Sequence, residues 1–115
     1  PEYVFIHDMK KTKDKSTWVL AVNPDLKLGM KIQFNMKNLP YFMEWKSTAA
    51  GDYVIGLEPS NSSVYGRGFH EKNGDLHMLK PFEKETNELV FTVLDGEEEI
   101  GKAVEEFQKQ FNQIK

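Results

Sequence analysis

A chain of 115 residues with 15 Lys and Arg against 18 Asp and Glu carries a net charge of −3, which gives it no overall attraction for nucleic acid or an anionic membrane surface. At 39% hydrophobic and 29% charged residues it reads as one globular domain, and without cysteine it holds neither a disulfide nor a thiolate metal site. No apolar run approaches the roughly 18 residues of a membrane span and no secretory leader is visible, so a cytoplasmic location is the expectation.

Residues 3–7 (YVFIH) are rich in β-formers and predict a first strand almost at the start, which suggests a C-terminal piece of something longer. Lys10, Lys11, Lys13 and Lys15 follow, interleaved with Asp8 and Asp14 and lacking aromatics to stack bases; they read as a solvated hairpin tip. Residues 17–22 predict a second strand, closed by Asn23-Pro24-Asp25, whose side chains and fixed φ favour a turn. The clearest alternation comes next. Leu28, Met30, Ile32, Phe34 and Met36 fall on one face and Gly29, Lys31, Gln33, Asn35 and Lys37 on the other, the period of a half-buried antiparallel strand.

Leu39-Pro40 breaks that strand, and residues 41–45 (YFMEW) and 53–57 (YVIGL) predict two more. The second of these delivers Glu58 at its end, followed by Pro59 and a polar stretch, SNSSVYGRG. Asn73-Gly74-Asp75 marks a turn, and residues 88–94 predict a late strand. One helix closes the chain, with Asp95 as its cap, Glu97–Glu99 at the positive end of its dipole, and an apolar stripe at Ile100, Val104, Phe107, Phe111 and Ile114. Short strands with frequent turns predict a mainly β architecture, an antiparallel β-sandwich in a single domain over residues 1–115. Truncated, such a sandwich exposes edge strands through which copies could self-associate.

The chemistry-bearing residues are sparse. His70 and His77 lack metal-ligand spacing, Gly66-Arg67-Gly68 lacks a phosphate-loop pattern and a following helix signal, and no Ser sits in a nucleophile elbow. Glu58 remains, and it reads in two ways. It can cap a turn or pair with Arg67. Alternatively, a carboxylate held on a sheet, with the Asn61 amide, the Arg67 guanidinium and the Trp45 ring nearby, supplies the groups that bind a polar small molecule such as a sugar.

The run PYFMEWKSTAAGDYVIGLEPSNSSVYGRG resembles the C-terminal part of aldose 1-epimerase (galactose mutarotase)-like proteins, closest to the bacterial branch called domain of unknown function 4432. The matching features are Pro40, Trp45, Gly51, Tyr53, Gly56-Leu57-Glu58-Pro59, Asn61 and Gly66-Arg67, with Leu79-Lys80-Pro81 and FTVLDGEEEI further on. The likeness covers about residues 28–115; residues 1–27 fit by strand pattern only. It implies the galactose mutarotase-like supersandwich and anomer interconversion of a monosaccharide without metal or organic cofactor. By motif position Glu58 is the general base of that chemistry, with Trp45, Asn61 and Arg67 as sugar contacts. The acid partner is a histidine of the family's N-terminal half, and none of His7, His70 or His77 matches it. A non-catalytic carbohydrate-binding module and a structural β-sandwich domain are the alternatives.

Overall fold

The computed structural model describes residues 1–112, so Ile114 of the apolar stripe lies outside the described residues. The chain is mainly β: among the described residues six strands form two antiparallel three-stranded sheets, and a long helix follows the last strand. The strands are β1 (Glu2–Ile6), β2 (Ser16–Asn23), β3 (Leu28–Asn35), β4 (Tyr41–Ser47), β5 (Val54–Ser60) and β6 (Val90–Asp95). Helix α1 covers Arg67–Asn73 and α2 covers Glu97–Phe111. Contacts divide these elements into two compact units. One is built from Pro1–Met9 and Lys37–Asn87, the other from Lys10–Met36 and the chain from Glu88 onward.

The first unit holds the sheet β1-β4-β5, with β4 in the centre. Directly opposed residues of an antiparallel pair share a face, so the register sorts the side chains into two sets. Glu2, Val4, Ile6, Tyr41, Met43, Trp45, Ser47, Val54, Gly56, Glu58 and Ser60 lie on one face. Tyr3, Phe5, Phe42, Glu44, Lys46, Ile55, Leu57 and Pro59 lie on the other. Sequence places Glu58 at the end of its strand, but β5 runs on through Pro59 to Ser60. Proline donates no ladder bond, and β5 tolerates it because it is paired on one side only.

The second unit is the sheet β2-β3-β6 with α2 against it. The apolar face of β3 is buried at Ile32 and Phe34. Its other face is not left to water. Gly29 lies so near the helix that an added Cβ would sit 3.5 Å from Ile100, and Lys31 lays its ammonium 4.0 Å from the centre of the Trp18 ring. Trp18 in turn meets Phe107 edge-on at 5.1 Å and donates its indole N–H to Gln110. Val104 of the expected stripe stays partly exposed, whereas Ala103 is buried, so the buried strip is rotated slightly from the apolar spacing.

Three local expectations are corrected. Asp95 is the last residue of β6 rather than the helix cap; Gly96, at φ 96°, takes that place, and Glu99 reaches back to accept the Asp95 N–H at 2.7 Å. The lysine-bearing segment 10–15 is not a hairpin tip, because β1 and β2 belong to different sheets; its four lysines are nevertheless exposed. The stretch beyond Gly66 is helical, as α1, where no helix is legible in RGFHEKN.

Phe111 is 1% exposed, with ring centroids 4.8 Å from Phe107 and 6.0 Å from Trp18. Phe111→Ala should therefore cost about 3–5 kcal/mol, the usual range for emptying a buried aromatic site. A lower denaturant midpoint at unchanged slope checks this.

Candidate functional site

The Glu58 face of the first sheet carries Glu2, Tyr41, Trp45, Ser47 and Glu58 along successive rungs. At one end, Ser47 is buried and its hydroxyl bonds Asp52, while the Trp45 indole N–H donates to Glu2 at 3.1 Å. These residues, with Ala49, Gly51 and Val54, line a groove of about 620 Å³. The next rung pairs Trp45 with Gly56. A Cβ on Gly56 would lie 2.5 Å from the Glu58 carboxylate and 3.4 Å from the Trp45 ring. The missing side chain is therefore what lets the acid fold back along its own strand toward the indole.

Glu58 is exposed and opposes Met43, and among the described residues it forms no ion pair with Arg67. Asn61 follows the strand directly and is half-buried; Arg67 is the first residue of α1 and exposed. The sheet thus brings Trp45 and Glu58 together, whereas Asn61 opens the loop after β5 and Arg67 begins α1.

That loop is organised by residues that sequence reasoning passed over. His70 is 1% exposed. The Ser63 backbone N–H donates to its Nε2 at 3.2 Å, and the Ser63 hydroxyl lies 2.7 Å from the same atom. Because a backbone N–H can only donate, Nε2 accepts; the ring proton then sits on Nδ1 and is donated to Asp75 Oδ1 at 2.9 Å. The other Asp75 oxygen accepts the Tyr41 hydroxyl, and the Tyr41 ring meets the His70 ring edge-on at 5.2 Å. The Tyr41 hydroxyl, followed by His70, holds the Asp75 carboxyl down from 3.8 to about 2, while the carboxylate pushes the Tyr41 phenol above its ordinary value.

Gly74 makes the array possible. At φ 77° it ends α1 in a left-handed turn, its N–H bonding the Glu71 carbonyl, and the following Asp75 N–H returns to the His70 carbonyl. Five residues beyond His70, the carboxylate is thereby turned back onto the ring. The serines finish the loop's hydrogen bonding: Ser60 Oγ accepts the Ser62 N–H and Ser63 Oγ accepts the Tyr65 N–H. The spacing Ser63, His70, Asp75 matches no sequence pattern; Gly74 before Asp75 was the available clue.

His7 and His77 pair with Glu44 at 2.9 Å and Glu85 at 2.7 Å, outside this array. Among the described residues no three His, Asp or Glu side chains gather as a metal site, and no helix is long and apolar enough to cross a membrane.

The two antiparallel sheets and closing helix of this mainly β chain have the aldose-epimerase-like fold. A crystal structure from Klebsiella pneumoniae subsp. pneumoniae MGH 78578, described as a "putative aldose 1-epimerase", superposes with a TM-score of 0.86 at 26% identity over 99% of this chain. This chain spans 30% of the length of that one. The model of the family described as "Domain of unknown function (DUF4432)" matches residues 1–93, and the chain belongs to that family. The match takes in the first 27 residues, where only the strand pattern had pointed, and stops before α2. No curated protein matches the sequence.

Because its folded value is depressed, Asp75 contributes stability that is fully present above pH 3.8 and is lost as pH falls through about 2. Tyr41→Phe removes the first cause of the depression. The Asp75 carboxyl should then titrate nearer 3.8 by NMR, and the acid loss of stability should shrink.

Proposed function

We propose that this chain carries part of the sugar site of an aldose 1-epimerase-like isomerase, with Glu58 as the general base. The observation that supports it is the Trp45–Gly56–Glu58 arrangement, in a chain of which 99% aligns with 30% of that Klebsiella protein. An indole offers a flat apolar surface to the C–H face of a sugar, and a carboxylate beside it is placed to work on a hydroxyl at the ring's edge. In the proposed reaction Glu58 takes the proton of the anomeric hydroxyl while an acid protonates the ring oxygen. The C1–O5 bond then breaks to the open-chain aldehyde, and rotation followed by reclosure on the other carbonyl face gives the second anomer. Asn61 and Arg67 serve as hydroxyl contacts from the loop. The acid is assigned to the part of the related chain's length that this chain does not span. No cofactor is needed for this proton-transfer sequence.

The full-length protein should accelerate anomer exchange of an aldose, followed by exchange NMR. Glu58→Gln should lower the rate by about 10²–10⁴-fold, the usual contribution of a general base, with the fold intact. A Gln variant with the parental rate would sink the assignment. Gly56→Ala tests the placement rather than the group. Its Cβ displaces only the mobile end of Glu58, so stability should move by no more than about 1 kcal/mol while the rate falls.

A further inference from the structure

Ser63, His70 and Asp75 contact one another in the order of a nucleophile, its base and an orienting acid, which raises the question of what the array does. Two features decide against acyl transfer. The Nε2 lone pair that would have to take the Ser63 hydroxyl proton, 2.7 Å away, is shared with the Ser63 backbone N–H at 3.2 Å. The Ser63 oxygen also accepts the Tyr65 N–H, in a ring-and-loop cluster whose histidine is 99% shielded from water. A histidine whose two nitrogens are both satisfied in this way acts as a fastener.

We propose that His70 is a positioning residue that latches the 60–67 loop to strand β4 and thereby sets Asn61 and Arg67 at the Glu58 face. This rests on the proposed sugar site for its functional half. The mechanical path is continuous. Tyr41 lies on the Glu58 face of β4, opposite Ser60 and two residues from Met43, which opposes Glu58. Its hydroxyl holds Asp75, Asp75 holds Nδ1 of His70, and Nε2 holds Ser63, which lies in the chain between Asn61 and Arg67. The Tyr41–Asp75–His70–Ser63 chain therefore fixes the loop to the sheet in the tautomer that only a neutral ring supplies. Ser60, at the end of β5, fixes its first turn.

Two isosteres separate the ring's two jobs. His70→Asn keeps a donor near Asp75 but presents no acceptor at the Nε2 position, whereas His70→Gln places its Oε1 there. In the full-length protein, hydrogen–deuterium exchange of peptides spanning 60–67 should quicken by at least about tenfold in His70→Asn while peptides of β4 stay protected, as for a local opening. His70→Gln keeps the Ser63 link but has no donor at the Nδ1 position, so it should quicken the same peptides through loss of the Asp75 link. Asp75→Asn, at an exposed position, gives a second variant should His70→Asn not fold, and it should loosen the same peptides. Titration with D-glucose and D-galactose supplies the functional readout. Binding should weaken by about tenfold in both His70→Asn and His70→Gln, each of which breaks one link of the series, the size expected for lost support of a binding group.

Unchanged loop exchange in both His70→Asn and Asp75→Asn would overturn the latch. A looser loop with unaltered sugar binding would overturn its positioning role. If neither sugar binds the parental protein, the proposed function fails and the exchange result alone decides the latch. Stoichiometric labelling of Ser63 by a fluorophosphonate would replace the latch with a nucleophile.

Discussion

The register of β4 constrains every side chain of the candidate site that the sheet carries. As the central strand of its sheet, β4 is hydrogen-bonded on both sides, so its alternation is fixed by two ladders at once. A slip of one residue would turn Tyr41, Met43 and Trp45 to the opposite face together. Trp45 would leave Gly56 and the Glu58 carboxylate, and Tyr41 would lose the Asp75 oxygen. The indole, the acid and the anchor of the loop are thus consequences of one pairing scheme. Gly56 adds the local condition that the acid can lie back along its strand.

The two units solve the burial of polar groups in different ways. Around α2, polar atoms are dispersed along an apolar seam: Lys31 covers the Trp18 ring and Gln110 takes its N–H. Around α1 they are concentrated. His70 is among the two most shielded side chains of the described residues, equal in that respect to Phe111, yet it brings two polar nitrogens into the interior. Such burial is tolerable because each nitrogen has a partner and because Asp75 remains a carboxylate well into acid.

Much of the fold was legible because it follows from local pattern. The alternation of residues 28–36 located β3 and its buried Ile32 and Phe34, and the Asn-Pro-Asp turn separated it from β2. The apolar repeat in residues 100–111 located α2. What escaped depends on contacts between distant residues. The seven residues of α1 include Gly68 and show no clear apolar stripe; the helix stands because His70 is gripped from both sides. Pro59 resembled a strand terminator, and only the edge position of β5 removes that meaning. At the site, Glu58 and Trp45 were visible as residue types, but the glycine that joins them was read only as part of a motif. The array of Tyr41, Ser63, His70 and Asp75 spans 35 positions and required the left-handed turn at Gly74 to close.

The way the two units share the chain has a consequence for how it is made. Each unit is interrupted by the other: β1 is separated from its partner β4 by the whole β2–β3 hairpin, and β3 waits for β6 across the entire β4–β5–α1 segment. During synthesis β1 therefore emerges before β4, its partner within this chain, and the hairpin behind it can pair first. Loop closure for the β3–β6 ladder comes last, a topology rich in long-range contacts that favours slow assembly. It also means that no single cut of the backbone leaves both sheets whole: one after residue 87 spares β1-β4-β5 but takes β6 from the other sheet, and one after residue 9 does the reverse.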